Sequence, residues 1–423
     1  MINNVFIKKY HILIGIFTLL SIYIGFIFNE NITAGPKMDF EHAFNQAKLF
    51  EKNFMYALLN YDNLEITSRI SPVFISILYF FKKLFIETDL VRFALFNMII
   101  STQLFFYKCL KLIFNTKEFN KKNLFVLSCV LYLSPSFRAN AIWAESSMFG
   151  LLFFVIAIYF FLKFKIKKEI KFALLNIFFV AIASYIRPSF CLFSIYFFIE
   201  FYKLISKEHN FFNNIIYLIF FNIILALPAL YYVFILDIFF FGVGGLEGKL
   251  NFNFFNKITI ISSILFFYFI PLIFYNNFNF NFNLKFDLLI MIFIFIFLYF
   301  VIINFDYNLD HSGGGLFLHL SNFLTNSNFL FFALCPLFLY YIIKIACYKN
   351  FNNFLLILIF FLITPQYHIT HKYYDPLVIL LCFTLIDLNI KKDFFFKKKY
   401  LFILYSLFLT LYSIHFLNYF IKF

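Results

Sequence analysis

The stretch Ser71 to Phe85, SPVFISILYFFKKLF, decides how this chain is threaded. It is apolar enough to read as a membrane crossing. Only about 11 residues precede the Lys82-Lys83 pair, however, and a crossing helix needs about 20. A short apolar run closed by two lysines suits a helix lying along the headgroups. If it does not cross, the Lys-rich loops around 108–122, 163–171, 203–207, 344–349 and 391–399 share one face with the N-terminus, and the positive-inside rule makes that face cytoplasmic. If it does cross, every later loop inverts and the pattern fails. The non-crossing reading is the consistent one.

Outward from that stretch, the chain is apolar almost throughout. Hydrophobic residues make up 63% of the 423 positions and charged residues 13%, which no soluble protein of this length could bury. The 77 phenylalanines match a codon bias toward Phe, Ile, Asn and Lys, so no chemistry is read into them. The net charge of +14 reads as topology rather than as a nucleic-acid surface, because lysines gather in the short loops. Six cysteines lie dispersed in apolar runs without a CxxC pair, which predicts packing roles. Ile12 to Phe28 is long and no A-x-A site follows it, so an uncleaved first span is predicted.

The predicted fold is an all-α polytopic membrane protein forming one transmembrane domain over 1–423, with about 13 crossing helices. The candidate spans are Tyr10–Phe28, Asp89–Phe114, Leu124–Arg138, Ser147–Phe164, Phe172–Ile186, Ser189–Leu204, Asn214–Leu236, Ile258–Tyr275, Leu288–Asn304, Asn328–Ile345, Phe354–Thr364, Leu377–Leu388 and Leu401–Phe420. The external face then carries a long first loop, 29–88, and shorter loops at 139–146, 187–188, 237–257, 305–327 and 365–376. In the first loop, polar His42, Gln46, Glu51 and Lys52 alternate with Phe44, Leu49, Phe50 and Phe54 at helical spacing. Residues 39–59 therefore read as one amphipathic surface helix. The Asn/Phe run 276–283 is a low-complexity loop.

On this topology two carboxylates, Asp39 and Glu145, face the same compartment. A carboxylate near the dielectric boundary is a potential general base, because partial desolvation raises its pKa. The structural alternatives are a solvated loop acid or helix cap for Asp39 and an N-cap of the fourth span for Glu145. Glu41 and Glu65 are weaker candidates of the same kind. Arg138, Arg187 and Lys372 lie on the same face, where a fork or an ammonium could hold phosphate oxygens; each could equally anchor a span end. His368 and His371 have HxxH spacing, and Asp310-His311 precedes Gly313-Gly314-Gly315. With no fourth ligand evident, these read as a loop rather than a metal site. Gly242 to Lys249 superficially resembles a P-loop, but its spacing is wrong and Leu250 stands where Ser or Thr is needed, so nucleotide binding is rejected.

Several of these features together resemble the GT-C superfamily of membrane glycosyltransferases, especially bacterial relatives of protein O-mannosyltransferases and aminoarabinose transferases. They are one span followed by Asp39 and Glu41, an amphipathic helix, a Ser71-Pro72-led juxtamembrane segment and Arg92 opening the next span. Pro135 to Glu145 leading into span four, Arg187-Pro188 after span five and Tyr374 to Pro376 before a late span complete the likeness. It is clearest over about 29–190 and thin over 205–360.

The resemblance implies transfer of a sugar from a polyprenyl-phosphate donor to a glycan, lipid or protein hydroxyl, on the external face of a bacterial inner membrane. It makes Asp39 the base and Glu145 the second acid. Glu41 joins the catalytic set, and His42, Arg138, Arg187, Lys372 and Tyr374 are the substrate-binding positions. A divalent metal ion is the one cofactor it allows. Glu145 stands where relatives often have Asp, and Glu41 lies one residue beyond the usual adjacent acid, which weakens a metal-ligand set. A polysaccharide polymerase or ligase would carry a large late outer loop with arginines, and a lipid-linked glycan transporter would carry charges within its spans; neither is visible.

Overall fold

The computed structural model describes residues 2–33, 35–61, 70–114, 121–206, 210–235, 253–276, 284–307, 309, 313–347, 351–387 and 398–421. Glu65, Asp310-His311, the Gly242–Lys249 stretch and all but the first residue of the 276–283 run lie outside them. Helix accounts for 85% of the structure, and no strand occurs among the described residues. The all-α reading stands. Contacts divide the chain into two units, Met1–Gly244 with Leu404–Phe423, and Gly245–Ile403.

In the first unit α1 (Ile2–Ile27) leads into a surface group of three helices, α2 (Pro36–Lys52), α3 (Phe54–Leu59) and α4 (Pro72–Leu84). The chain then forms α5 (Thr88–Ile100), α6 (Thr102–Ile113), α7 (Lys121–Cys129), α8 (Pro135–Ile142), α9 (Ser146–Lys167), α10 (Ile170–Ile186), α11 (Phe193–Ile205) and α12 (Phe211–Leu230). α5 begins where α1 ends, because the Arg92 guanidinium lies 4.7 Å from the Phe26 ring and its Nη2 donates to Asn29. α2, α3 and α4 therefore leave from and return to one end of the bundle.

α4 has 13 residues, about 20 Å of helix, which is short of the roughly 30 Å hydrocarbon layer. Its Phe74, Ile75, Leu78 and Tyr79 are buried, while Lys83 sits over the Tyr79 ring and Lys82 pairs with Glu51 of α2 at 2.6 Å. The predicted single helix 39–59 is in fact two. Asn53 takes an extended φ of −159° and caps α3, its side chain accepting from Tyr56 N–H at 3.0 Å. Capping competes with continuing the helix, and here the cap wins.

Among the described residues, seven helices are long and apolar enough to cross a membrane, or eight if one bent pair counts as a single span. The bent pair, Lys121–Leu133 with Pro135–Ile142, turns by 69°. Pro135 contributes no N–H and forces Ser134 into an extended ψ of 121°, and Ser134 Oγ then caps α8 by accepting from Phe137 N–H at 3.0 Å. Residues 139–146 are accordingly not an exposed loop, since Ala139 to Ala144 are all buried.

Among the described residues the count of 13 spans is not confirmed. Leu13–Ile27, Ile170–Ile186, Phe351–Leu362 and Leu401–Leu417 are apolar but shorter. Among its described residues, the predicted span 377–388 contains the six-residue helix Leu377–Cys382, about 9 Å long.

The second unit contains α13 (Phe254–Asn276), α14 (Leu284–Asn304), α15 (Gly315–Thr325), α16 (Phe329–Ala346), α17 (Phe351–Leu362) and α18 (Leu377–Cys382); α19 (Lys398–Ile421) closes the chain. Lys344 of α16 pairs with Asp287 of α14, both largely buried, so these two helices are joined by a charge pair as well as by apolar packing.

Candidate functional site

The end of the first unit that gathers α1, α2, α5, α8 and α9 holds most of the candidate residues. Its centre is Trp143, the single tryptophan of the chain. The Arg92 guanidinium lies 4.4 Å from the Trp143 ring and 4.7 Å from Phe26, a cation held against two aromatic rings. Phe40 of α2, 3% exposed, packs 6.3 Å from Trp143, and the Lys37 ammonium sits 5.6 Å from the same ring.

Asp39, half-buried, lies between Lys37 and Phe40 in the first turn of α2, where the helix dipole favours a carboxylate. It is not the cap, since that position belongs to Gly35. Glu41 and His42 are exposed, and Lys37 pairs with Glu41 at 4.0 Å.

Two residues beyond Trp143, Glu145 occupies the N-cap position of α9 and is 5% exposed. Its carboxylate makes no bond to the helix backbone but accepts from Ser147 Oγ at 2.8 Å. The turn into it is sharp: Ala144 has a φ of 46°, a left-handed conformation uncommon for any residue but glycine, and Glu145 N–H donates to Asn140 O at 2.8 Å. Asp39 and Glu145 are thus brought to one junction, each a step or two along the chain from a residue on or touching the Trp143 ring.

Arg138 is committed elsewhere. Its five N–H donors make five hydrogen bonds: Nε to Glu30 Oε1 at 2.9 Å, Nη2 to Glu30 Oε2 at 2.7 Å, Nη2 to Ser21 O at 3.0 Å, and Nη1 to Ser21 Oγ at 2.8 Å and Tyr132 O at 3.1 Å. The pair is 2% and 9% exposed. Tyr412 of α19 adds its ring, 4.6 Å from the guanidinium, and its hydroxyl, 3.4 Å from Glu30 Oε2. Glu30 also accepts Trp143 Nε1–H on its backbone carbonyl at 3.1 Å, so this buried pair holds the Trp143 turn in place.

Sequence reasoning passed over Glu30, although a lone acid at the end of the first span was its signal. Nothing in the sequence marks Ser21 or Tyr412 as its neighbours.

Arg187 ends α10 in an extended conformation, with φ of −137°, and its Cβ would lie 3.1 Å from any side chain added at Gly150. It is half-buried beside Pro188, where a 3₁₀ turn, Pro188–Leu192, leads into α11.

Next to it an apolar cavity of about 310 Å³ opens between α4, α10, α11 and α12. Its wall includes Ser71, Val180, Tyr185, Pro188, Ala226 and Ala229. Below it a narrower pocket reaches Asn176, fully buried, which donates to Ala157 O at 2.8 Å while its Oδ1 has no partner.

Lys372 and Tyr374 belong to the second unit. Tyr374 is fully buried, with its hydroxyl 2.6 Å from Thr364 Oγ1 and donating to Phe360 O at 3.3 Å; burial pushes its phenol pKa up. Lys372 is half-buried, its ammonium 5.9 Å from the Tyr373 ring. The HxxH spacing resolves into packing, because His371 Nε2 accepts Leu316 N–H at 3.0 Å while Nδ1 faces Tyr268 Oη at 3.4 Å. Among the described residues, no three His, Cys, Asp or Glu side chains converge as a metal set. Searches of family models, curated proteins and solved structures return no match to this chain.

Proposed function

We propose that this chain transfers a sugar from a polyprenyl-phosphate donor to an acceptor hydroxyl on the external face of a bacterial inner membrane. The observation that carries the reading is the junction at Trp143, which brings Asp39 and Glu145 to the same end of the first unit. Asp39, half-buried at a helix start, takes the acceptor proton. Glu145, buried and held by Ser147, orients the substrate. Arg187, at the turn from α10 into α11, is the cation that meets the departing phosphate. Arg138 has no donor left for a ligand and serves as scaffold. The acceptor is a glycan, lipid or protein, and membrane lipid surrounds the chain.

The test is an assay of the full chain in vesicles with radiolabelled polyprenyl-phosphate sugars. Donor-dependent labelling of an acceptor, abolished in Asp39→Asn, supports the transferase. Near-normal transfer by that variant removes Asp39 as the base. Block-length products would instead indicate a polymerase, and translocation without a new glycosidic bond a transporter.

A further inference from the structure

The Tyr185 hydroxyl bridges the backbone of α12. It accepts the N–H of Ala229 at 3.1 Å and donates to the carbonyl of Leu225 at 2.5 Å. Residues 225 and 229 are the i and i+4 pair that an uninterrupted helix joins directly. One residue earlier, Pro228 offers no N–H to the carbonyl of Ile224, and one residue past α12 the backbone widens into a π-helical turn, Tyr231–Ile235. A side chain seated in the ladder beside a proline is a recognised cause of helix distortion. Tyr185 is itself held from behind, because its backbone carbonyl accepts the Ser71 hydroxyl at the start of α4.

Tyr185, Leu225 and Ala229 all line the 310 Å³ cavity. Among the described candidate spans of the first unit, the helix that bounds it is the least covered. Only 6% of the α12 span is buried, and Ile216, Phe220, Ile223 and Leu227 are 47%, 61%, 54% and 54% exposed. In a membrane that surface meets lipid, so the cavity opens onto hydrocarbon. Among the described residues no charged side chain lines it; its polar groups are hydroxyls, the Cys191 thiol and the Asn222 amide, which already donates to Leu218 O at 2.9 Å. An apolar space of this size excludes water and takes an apolar occupant. Without a cation in the wall, that occupant is a chain rather than a phosphate headgroup.

We infer that this cavity is a binding site for one acyl chain of a neighbouring phospholipid, and that Tyr185 is the wedge that keeps it open by standing between α10 and the α12 backbone. Without the hydroxyl, Ala229 N–H and Leu225 C=O pair only with each other, α12 closes toward α10 and the site narrows.

The experiment reconstitutes the full chain in vesicles of phosphatidylcholine carrying a photoactivatable diazirine in the acyl chain, and maps cross-links by mass spectrometry. Wild type is expected to label at the cavity residues Val180, Ala181 and Ala226 as well as at Phe220 and Ile223 on the outer face. Tyr185→Phe is expected to lose cavity labelling by about tenfold, in line with one lost bridging hydroxyl, while outer-face labelling is unchanged. Pro228→Ala, which restores a ladder donor without touching the cavity wall, gives a smaller loss and decides the matter if Tyr185→Phe fails to fold. Cavity labelling unchanged in whichever variants fold overturns the wedge. No cavity labelling in wild type overturns the site. Displacement of the label by added polyprenyl phosphate reassigns the cavity to the carrier and overturns the phospholipid assignment. None of these readouts depends on sugar transfer, so they fail or succeed separately from the proposed reaction.

Discussion

Arg138 and Asp39 show how differently two charged residues at one end of a bundle can be used. Arg138 spends every donor on groups of its own chain, and its partner Glu30 is buried with it. Removing one member of a buried pair leaves an uncompensated charge, which costs about 3–5 kcal/mol. Glu30→Gln is therefore expected to lower the thermal unfolding midpoint sharply, read by melting the purified protein in detergent. Gly25→Ala should act the same way from outside the pair, because a Cβ there would lie 2.5 Å from Glu30 Oε2 and 3.0 Å from Arg138 Nη2. Asp39→Asn, on a half-buried position of a surface helix, should change stability by less than about 0.5 kcal/mol while sugar transfer disappears. A large stability loss in Asp39→Asn would mean that its carboxylate is structural. The sequence marked Arg138 and Arg187 as candidates alike, since a lone charge at a span end looks the same whether it waits for a ligand or already has a partner 108 residues away.

At the scale of elements, α2 is fastened through Phe40 to Trp143 and through Glu51 and Phe44 to Lys82 of α4. Because Trp143 is the single tryptophan, intrinsic fluorescence reports this one junction. Phe40→Ala is expected to red-shift Trp143 emission and make it more accessible to iodide, with a stability cost of about 3 kcal/mol for the buried ring. Emission identical to wild type would show that α2 is not docked there. Asn53→Ala should cost about 1 kcal/mol and loosen α3 alone, seen as faster amide exchange over Phe54–Leu59. The sequence showed the amphipathic character of this region but not its break, because the helical periodicity of 39–59 runs straight through Asn53. Its capping role depends on a φ that periodicity does not encode. The bend at Ser134-Pro135 was missed for a related reason. A proline in an apolar run ends a crossing or bends one, and only packing of α8 against its neighbours selects the bend.

For the whole molecule, the decisive expectation concerns sidedness. Among the described residues of the first unit the chain leaves α1 and enters α5 at a single end. A cysteine placed at exposed His42, in a background without the six native cysteines, should react with an impermeant thiol reagent in intact cells; one at exposed Lys167, at the far end of α9, should react only after lysis. The reverse pattern would put Asp39 and Glu145 in the cytoplasm and remove the external transfer reaction.

What the sequence by itself determined was the all-helical, multi-pass membrane class and the shortness of α4, because hydrocarbon thickness and the placement of lysines are one-dimensional constraints that can be read along a chain. What only the tertiary structure decided was which charges are spent on distant partners, and which apolar runs bend or stop short. Those outcomes depend on partners distant in sequence, as Tyr412 is from Glu30 and Tyr185 is from Leu225, and no local pattern of residues records who will stand beside whom.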